Sequence, residues 1–127
     1  MSAPWQRGRL IVHSSKRKFT HEDGTPFFYL ADTAWELFHR LTLEEVDIYL
    51  AVRKTQGFNV IQCVLLAELD GIRTPNRYGE TPFLGEDPDR LNPAYWAHVD
   101  AVLDRIAEQG LYAALLPTWG DKIMKGT

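Results

Sequence analysis

The sequence predicts an α/β fold in which parallel strands alternate with helices, and three features support that reading. The segments "PFFYLA", "FNVIQCVLL" and "LYAALLP" are apolar at nearly every position, as strands are when both faces are buried. Two amphipathic segments with helix-capping residues separate them. Each helix enters the next strand through an equivalent joint, first "QGFNVIQ" and then "QGLYAAL". Such alternation builds a parallel sheet joined by right-handed crossovers.

The chain opens with short extended pieces, "GRLIVHSSKRKFTHEDGTPFF", broken by turn residues. Asp23-Gly24 is a hairpin signal, and Pro26 suits the start of a strand. Residues 1–24 are therefore expected to form an extended, hairpin-bearing segment, and 25–127 the α/β unit. "PFFYLA" is expected as the first parallel strand. In "LTLEEVDIYLAVRKTQG", Thr42 and Glu45 make a capping box, each side chain satisfying an amide that the helix leaves orphaned. Leu43, Val46, Tyr49, Leu50 and Val52-Arg53 form a stripe near helical spacing, and Gly57 stands where a glycine free to take positive φ ends the helix. The second strand follows at once. Asn92-Pro93 then reads as a helix cap with proline in the first turn. Trp96, Val99, Val102, Leu103, Ile106 and Ala107 fill one face of that helix, and Gln109-Gly110 closes it before the third strand.

The helix-to-strand joints are minimal, whereas the segments after strands are long, about 32–41 and 67–92. Parallel α/β folds keep their sites on the carboxyl ends of strands. A doubly wound nucleotide-binding sheet would place a glycine-rich turn after its first strand, and "LADTAWELFHR" has no glycine. A (β/α)8 TIM barrel accounts for the loop asymmetry, but needs roughly 200 residues or more. The 127 residues here are expected to supply its amino-terminal β-α-β-α-β portion, an incomplete barrel.

Hydrophobic residues at 45% and charged residues at 24% are ordinary for a folded domain and argue against disorder. A net charge of −3, with Lys16-Arg17-Lys18 as the densest basic run, gives no footprint for nucleic acid. No stretch is long and apolar enough to suggest a membrane span, and "MSAPWQRGRL" has no signal-like apolar core. Cys63 is the lone cysteine, set in an apolar strand as a small hydrophobe. A cytoplasmic location is expected on these grounds.

At "GTPFFYLADTAWELFHRLTLEEVDIYL", "QGFNVIQ", "NPAYWAHVDAVLDRIAEQGLY" and "LLPTWGDK" the chain strongly resembles the amino-terminal part of the apiosidase-like glycoside hydrolases (glycoside hydrolase family 140). The resemblance runs from about Leu10 to Lys122 and rests on the combination of segments. It implies a (β/α)8 catalytic barrel acting on plant cell-wall glycans, with cleavage at apiose in a pectic side chain as the founding activity. It also implies that the catalytic carboxylates lie on later strands, beyond Thr127. The partner implied is a carbohydrate, with no membrane and no nucleic acid.

The candidate substrate-binding residues are Asp32, Thr33, Trp35, Gln62, Trp119 and Asp121. Asp32 and Thr33 close the first strand, where a carboxylate can accept from sugar hydroxyls; the alternative is a cap or turn-stabilising role. Trp35 and Trp119 offer indole faces that stack on sugar rings, or plain packing. Gly120 would let backbone approach a ligand beside Asp121, which could equally be a solvated loop acid. Gln62 points into the barrel or outward to a helix, and needs partners in either place. Glu68 and Asp70 suggest a carboxylate pair for glycoside cleavage, but productive pairs flank the bond from different elements. His13, His21, His39 and His98 show no metal-ligand spacing, and no serine elbow occurs, so neither a metal nor a cofactor is expected. A competing reading is a non-catalytic α/β module whose open strand edges and apolar interior face drive homo-oligomerisation.

Overall fold

The computed structural model describes residues 3–122. Two tight turns shape the amino-terminal part. His13 N–H donates to the Lys18 carbonyl (2.9 Å) and Lys16 N–H to the His13 carbonyl (2.8 Å), with Lys16 at φ 59°. This turn lays β1 (Leu10–Val12) antiparallel to β2 (Phe19–His21). The Asp23-Gly24 turn then returns the chain to β3 (Pro26–Phe27), giving a sheet of order β1-β2-β3.

The second sheet is parallel, with β4 (Ala31–Thr33), β5 (Val60–Leu66) and β6 (Tyr112–Thr118) in sequential order. The expected single strand "PFFYLA" is corrected here, because Pro26–Phe27 belongs to the first sheet and Ala31–Thr33 to the second. The Asn59 side chain bridges the break. Its Oδ1 accepts from Leu30 N–H (2.9 Å) and its Nδ2 donates to the Phe28 carbonyl, so both backbone groups are satisfied without a strand partner.

Helix α1 (Leu37–Arg40) is a short piece inside the first post-strand loop. Helices α2 (Leu43–Thr55) and α3 (Pro93–Glu108) are the two crossovers. Thr42 and Glu45 form the expected capping box, and Asn92 Oδ1 accepts from Ala94 N–H at 3.2 Å. Gly57 (φ 90°) and Gly110 (φ 70°) take the left-handed conformation that ends each helix.

The core lies between the helices and one face of the parallel sheet, where Val46, Leu50, Ile61, Cys63, Val99, Val102 and Ile106 are buried together. Burying each such side chain contributes roughly 1.5–3 kcal/mol. Tyr95 is fully buried and donates its hydroxyl to the Leu65 carbonyl at 2.6 Å, fastening α3 to β5. Strand alternation and register fix which residues share a face. Asp32 pairs with Ile61, and Cys63 with Leu115, so these four face the helix layer. Thr33, Gln62 and Ala114 are in register on the opposite face.

Burial of β6 departs from the expectation for an apolar strand covered on both sides. Its residues alternate between half-buried and exposed, and Leu115 on the helix side is 40% exposed. The amino-terminal sheet packs at the amino ends of the parallel strands, with the Phe27 ring edge-on to Tyr112 at 5.5 Å. No helix among the described residues is long and apolar enough to cross a membrane.

Candidate functional site

Beyond the carboxyl ends of β4 and β6, two tryptophans converge. Ala34 N–H donates to the Gln62 carbonyl at 2.8 Å, which extends the parallel pairing one residue past Thr33 and aims the chain over β5. Trp35 and Trp119 then meet edge to face, with ring centroids 4.9 Å apart at 78°. Such a pair is worth about 0.5–1.5 kcal/mol beyond its buried area. Both rings are half-buried, and the Trp119 indole nitrogen has no hydrogen-bond partner among the described residues. Below them, Thr33 is exposed and Gln62 half-buried on the face turned away from the helices. The alternatives that sequence left open for Gln62 resolve to this face.

Asp32 lies on the other face. Its Oδ2 accepts from the Tyr49 hydroxyl (2.6 Å) and from Arg53 Nε, so it braces β4 to α2. Burial alone would raise its pKa, but the hydrogen bonds from Tyr49 and Arg53 outweigh burial and hold the carboxyl below its usual range. Burial, followed by the Asp32 carboxylate, pushes the Tyr49 phenol upward. Asp121 stands in a helical turn (Gly120–Lys122), exposed, with Lys122 Nζ 3.3 Å from its Oδ1. Thus Trp35 and Trp119 meet beyond the strand ends, while Thr33 and Gln62 are in register on the face turned away from the helices. Asp32 does not join that face, and Asp121 stands exposed in the turn beyond β6.

A groove runs beside this end. A cavity of about 320 Å³ is lined by Glu36, His39, Arg40, Glu68, Asn76 and Arg77 among others. It shares Glu36, Arg40, Glu68 and Leu69 with a neighbouring cavity of about 440 Å³ that reaches Thr33, Trp35 and Asp32. Glu68 therefore borders both. Its expected companion is engaged elsewhere, since Asp70 lies 3.0 Å from Arg73, which also binds Glu86 at 2.7 Å. The loop holding Glu68 is strained, with Leu69 at φ 55° and Asp70 at φ 68°. Gly71 is required there, because a Cβ would sit 2.6 Å from the Ala67 carbonyl oxygen.

Glu36, Arg40 and Asn76 escaped the sequence reading. Glu36 and Arg40 are an i,i+4 pair at 3.4 Å. Asn76 organises its loop by accepting from Tyr78 N–H (2.9 Å) and Glu80 N–H (3.1 Å). The stretch "NRYG" was its available signal, an asparagine placed to hold a turn. Cys63 is fully buried, and burial pushes its thiol up to about 12, so it is no nucleophile. Among the described residues no three His, Cys, Asp or Glu side chains cluster as metal ligands.

Comparison with known proteins supplies the context for this geometry. No curated protein matched the chain. A solved structure described as a glycoside hydrolase superposes with a TM-score of 0.87 and 34% identity over 99% of this chain and 29% of its own. A glycoside hydrolase family 5 protein from Bacteroides vulgatus gives 0.85 and 31% identity over 98% of this chain and 28% of its own. The chain thus spans under a third of the length of either structure, and its three parallel strands are part of a TIM barrel. The family model "Apiosidase-like, catalytic domain" matches residues 13–127, and the chain belongs to that family.

Proposed function

We propose that this chain forms the opening part of a barrel that cleaves glycosidic bonds, with Trp35, Trp119, Thr33 and Gln62 lining a substrate subsite. The observation that carries the reading is the Trp35–Trp119 pair, held over the carboxyl ends of parallel strands where barrel enzymes bind substrate. An indole beside a sugar ring offers apolar stacking area and one N–H donor, and that of Trp119 has no partner among the described residues. Thr33 and Gln62 add a hydroxyl and an amide able to donate and accept. Asp32 acts on substrate only indirectly, by keeping β4 and α2 in register through Arg53 and Tyr49.

Glycoside cleavage needs an acid to protonate the leaving oxygen and a second carboxylate to attack or to activate water. In this reading both come from other strands of the same barrel. The substrate class is an apiose-containing pectic glycan, as the family resemblance implies. The test begins with the intact mass of the native gene product, expected well above 14.6 kDa. Release of reducing sugar from apiose-bearing pectic fragments is then compared with Trp119→Ala. The variant should lower kcat/KM by about tenfold, mostly through KM, as loss of a stacking surface does. A native mass of 14.6 kDa, or an unchanged variant, would sink the reading.

The exposed helix-side residues of β6 favour a second possibility, a non-catalytic module that covers them with another copy. Sedimentation of the native product over a concentration series separates the two.

A further inference from the structure

The cavity of about 320 Å³ has a lining that the tryptophan subsite does not use. Its walls are the loops after β4 and β5, with Glu36, His39 and Arg40 from the first and Glu68, Asn76 and Arg77 from the second. β4 and β5 are already paired, so further strands of a barrel would join at the outer edges of β4 and β6, not between these two loops. The carboxyl ends of barrel strands are also the face left open to substrate. Charge in the cavity balances. Glu36 pairs with Arg40 at 3.4 Å, whereas Glu68 and Arg77 make no ion pair among the described residues. One carboxylate and one guanidinium remain, an acceptor and a donor of opposite sign. Two buried side chains add to the wall, His39 at 7% and Asn76 at 6% exposure. His39 Nδ1 and Asn76 Nδ2 have no hydrogen-bond partner among the described residues, while Asn76 Oδ1 is committed to Tyr78 and Glu80 N–H.

We infer that this cavity is a second sugar subsite, specific for a neutral, hydroxyl-rich ring that donates to Glu68 and accepts from Arg77. It rests on the glycan-cleaving reading and deepens it, by assigning a charge to the unit bound here. A uronate would set a second anion beside Glu68 with a single free guanidinium to offset both. A neutral ring, whose hydroxyls both donate and accept, satisfies the carboxylate and the guanidinium and leaves no charge over. The cavity shares Glu36, Arg40, Glu68 and Leu69 with the larger one that reaches Thr33 and Trp35, so successive units of one glycan occupy the two. The turn beyond Glu68 is tied down by Arg73, which binds Asp70 (3.0 Å) and Glu86 (2.7 Å). That reduces the ordering that binding would otherwise cost.

Calorimetric binding and cleavage kinetics of the native gene product test this, using an apiose-bearing pectic fragment and the same fragment after chemical reduction of its uronates to neutral sugars. Glu68→Gln should weaken binding and raise KM by about tenfold, and Arg77→Ala severalfold, with kcat and the urea midpoint close to wild type. Each loss should be equal for the native and the reduced fragment. An Arg77→Ala loss that disappears on reduction means that the cavity reads a carboxylate, and overturns the inference. A loss that appears only with a lowered urea midpoint marks a loop-holding role and overturns it too. Arg77 is exposed, so its variant carries the test if Glu68→Gln does not fold. Cleavage with KM unchanged in both variants loses the subsite and keeps the hydrolase. Binding that depends on Glu68 and Arg77 without any cleavage loses the hydrolase and keeps the subsite, and neither binding nor cleavage loses both.

Discussion

Acidification from about pH 8 to about pH 5 should loosen the fold through His39 and His98, the two histidines buried beneath the loop after β5. Their exposures are 7% and 8%. Burial is the leading cause that pulls each ring below its ordinary value. At His39 the Glu36 carboxylate opposes burial and Arg40 reinforces it, and at His98 an interaction with the Phe38 backbone opposes it. The Tyr78 ring lies 5.0 Å from that of His98. His39 Nδ1 and His98 Nε2 have no hydrogen-bond partner among the described residues, so an added proton would be buried without an acceptor. In the unfolded chain each histidine returns to about 6.5, so the unfolded state binds more protons at mildly acid pH. Stability from the neutral rings is complete above about pH 6.5 and is lost as the pH falls toward the folded values. The ceiling is about 1.4 kcal/mol per pH unit for each proton, and water reaching the loop lowers it. Urea midpoints followed by tryptophan fluorescence at successive pH values measure the slope. His39→Gln and His98→Gln should each start less stable at high pH and slope less steeply below about pH 6.5. A wild-type midpoint flat across the interval, or variants with an undiminished slope, refutes the argument.

Three further outcomes are expected. Asp32→Asn should lower the urea midpoint at neutral pH by unpairing Arg53. Because its folded value is depressed, the wild-type advantage is present above about 3.8 and vanishes as the pH falls through the folded value. Gly71→Ala should cost about 1–3 kcal/mol in urea unfolding, since its methyl group collides with the Ala67 carbonyl oxygen and the loop must shift. Cys63 should react with an aromatic disulfide reagent only as fast as the chain unfolds, and rapid modification of the folded protein would contradict its burial.

The parts of the fold that sequence made legible are those fixed by neighbours in the chain. Thr42 with Glu45, Asn92 with Pro93, and the glycines at 57 and 110 each act within one helical turn, so spacing alone found both crossover helices and the strands after them. The first strand was misjudged because what divides "PFFYLA" is Asn59, about thirty residues away, whose side chain replaces ladder hydrogen bonds that composition led us to expect. No hydropathy pattern records a side chain acting as a strand partner. Helix α1 was missed for a related reason. It is a single turn with no side-chain cap, and the burial of Leu37 and Phe38 in the core holds it in place. At the site, sequence could place Asp32, Thr33, Trp35 and Trp119 near strand ends and Gln62 in or beside the second strand, but not choose their faces. A strand's two faces differ by one residue of phase, and that phase is set by which side the helices cover. The same one-residue step that turns Gln62 toward the open face turns Asp32 toward Arg53. An ionised carboxylate next to a sugar-lined surface and one locked into a helix brace therefore look identical in sequence. Here the Tyr49 and Arg53 stripe on α2 distinguishes them, at i and i+4 on the face that meets β4.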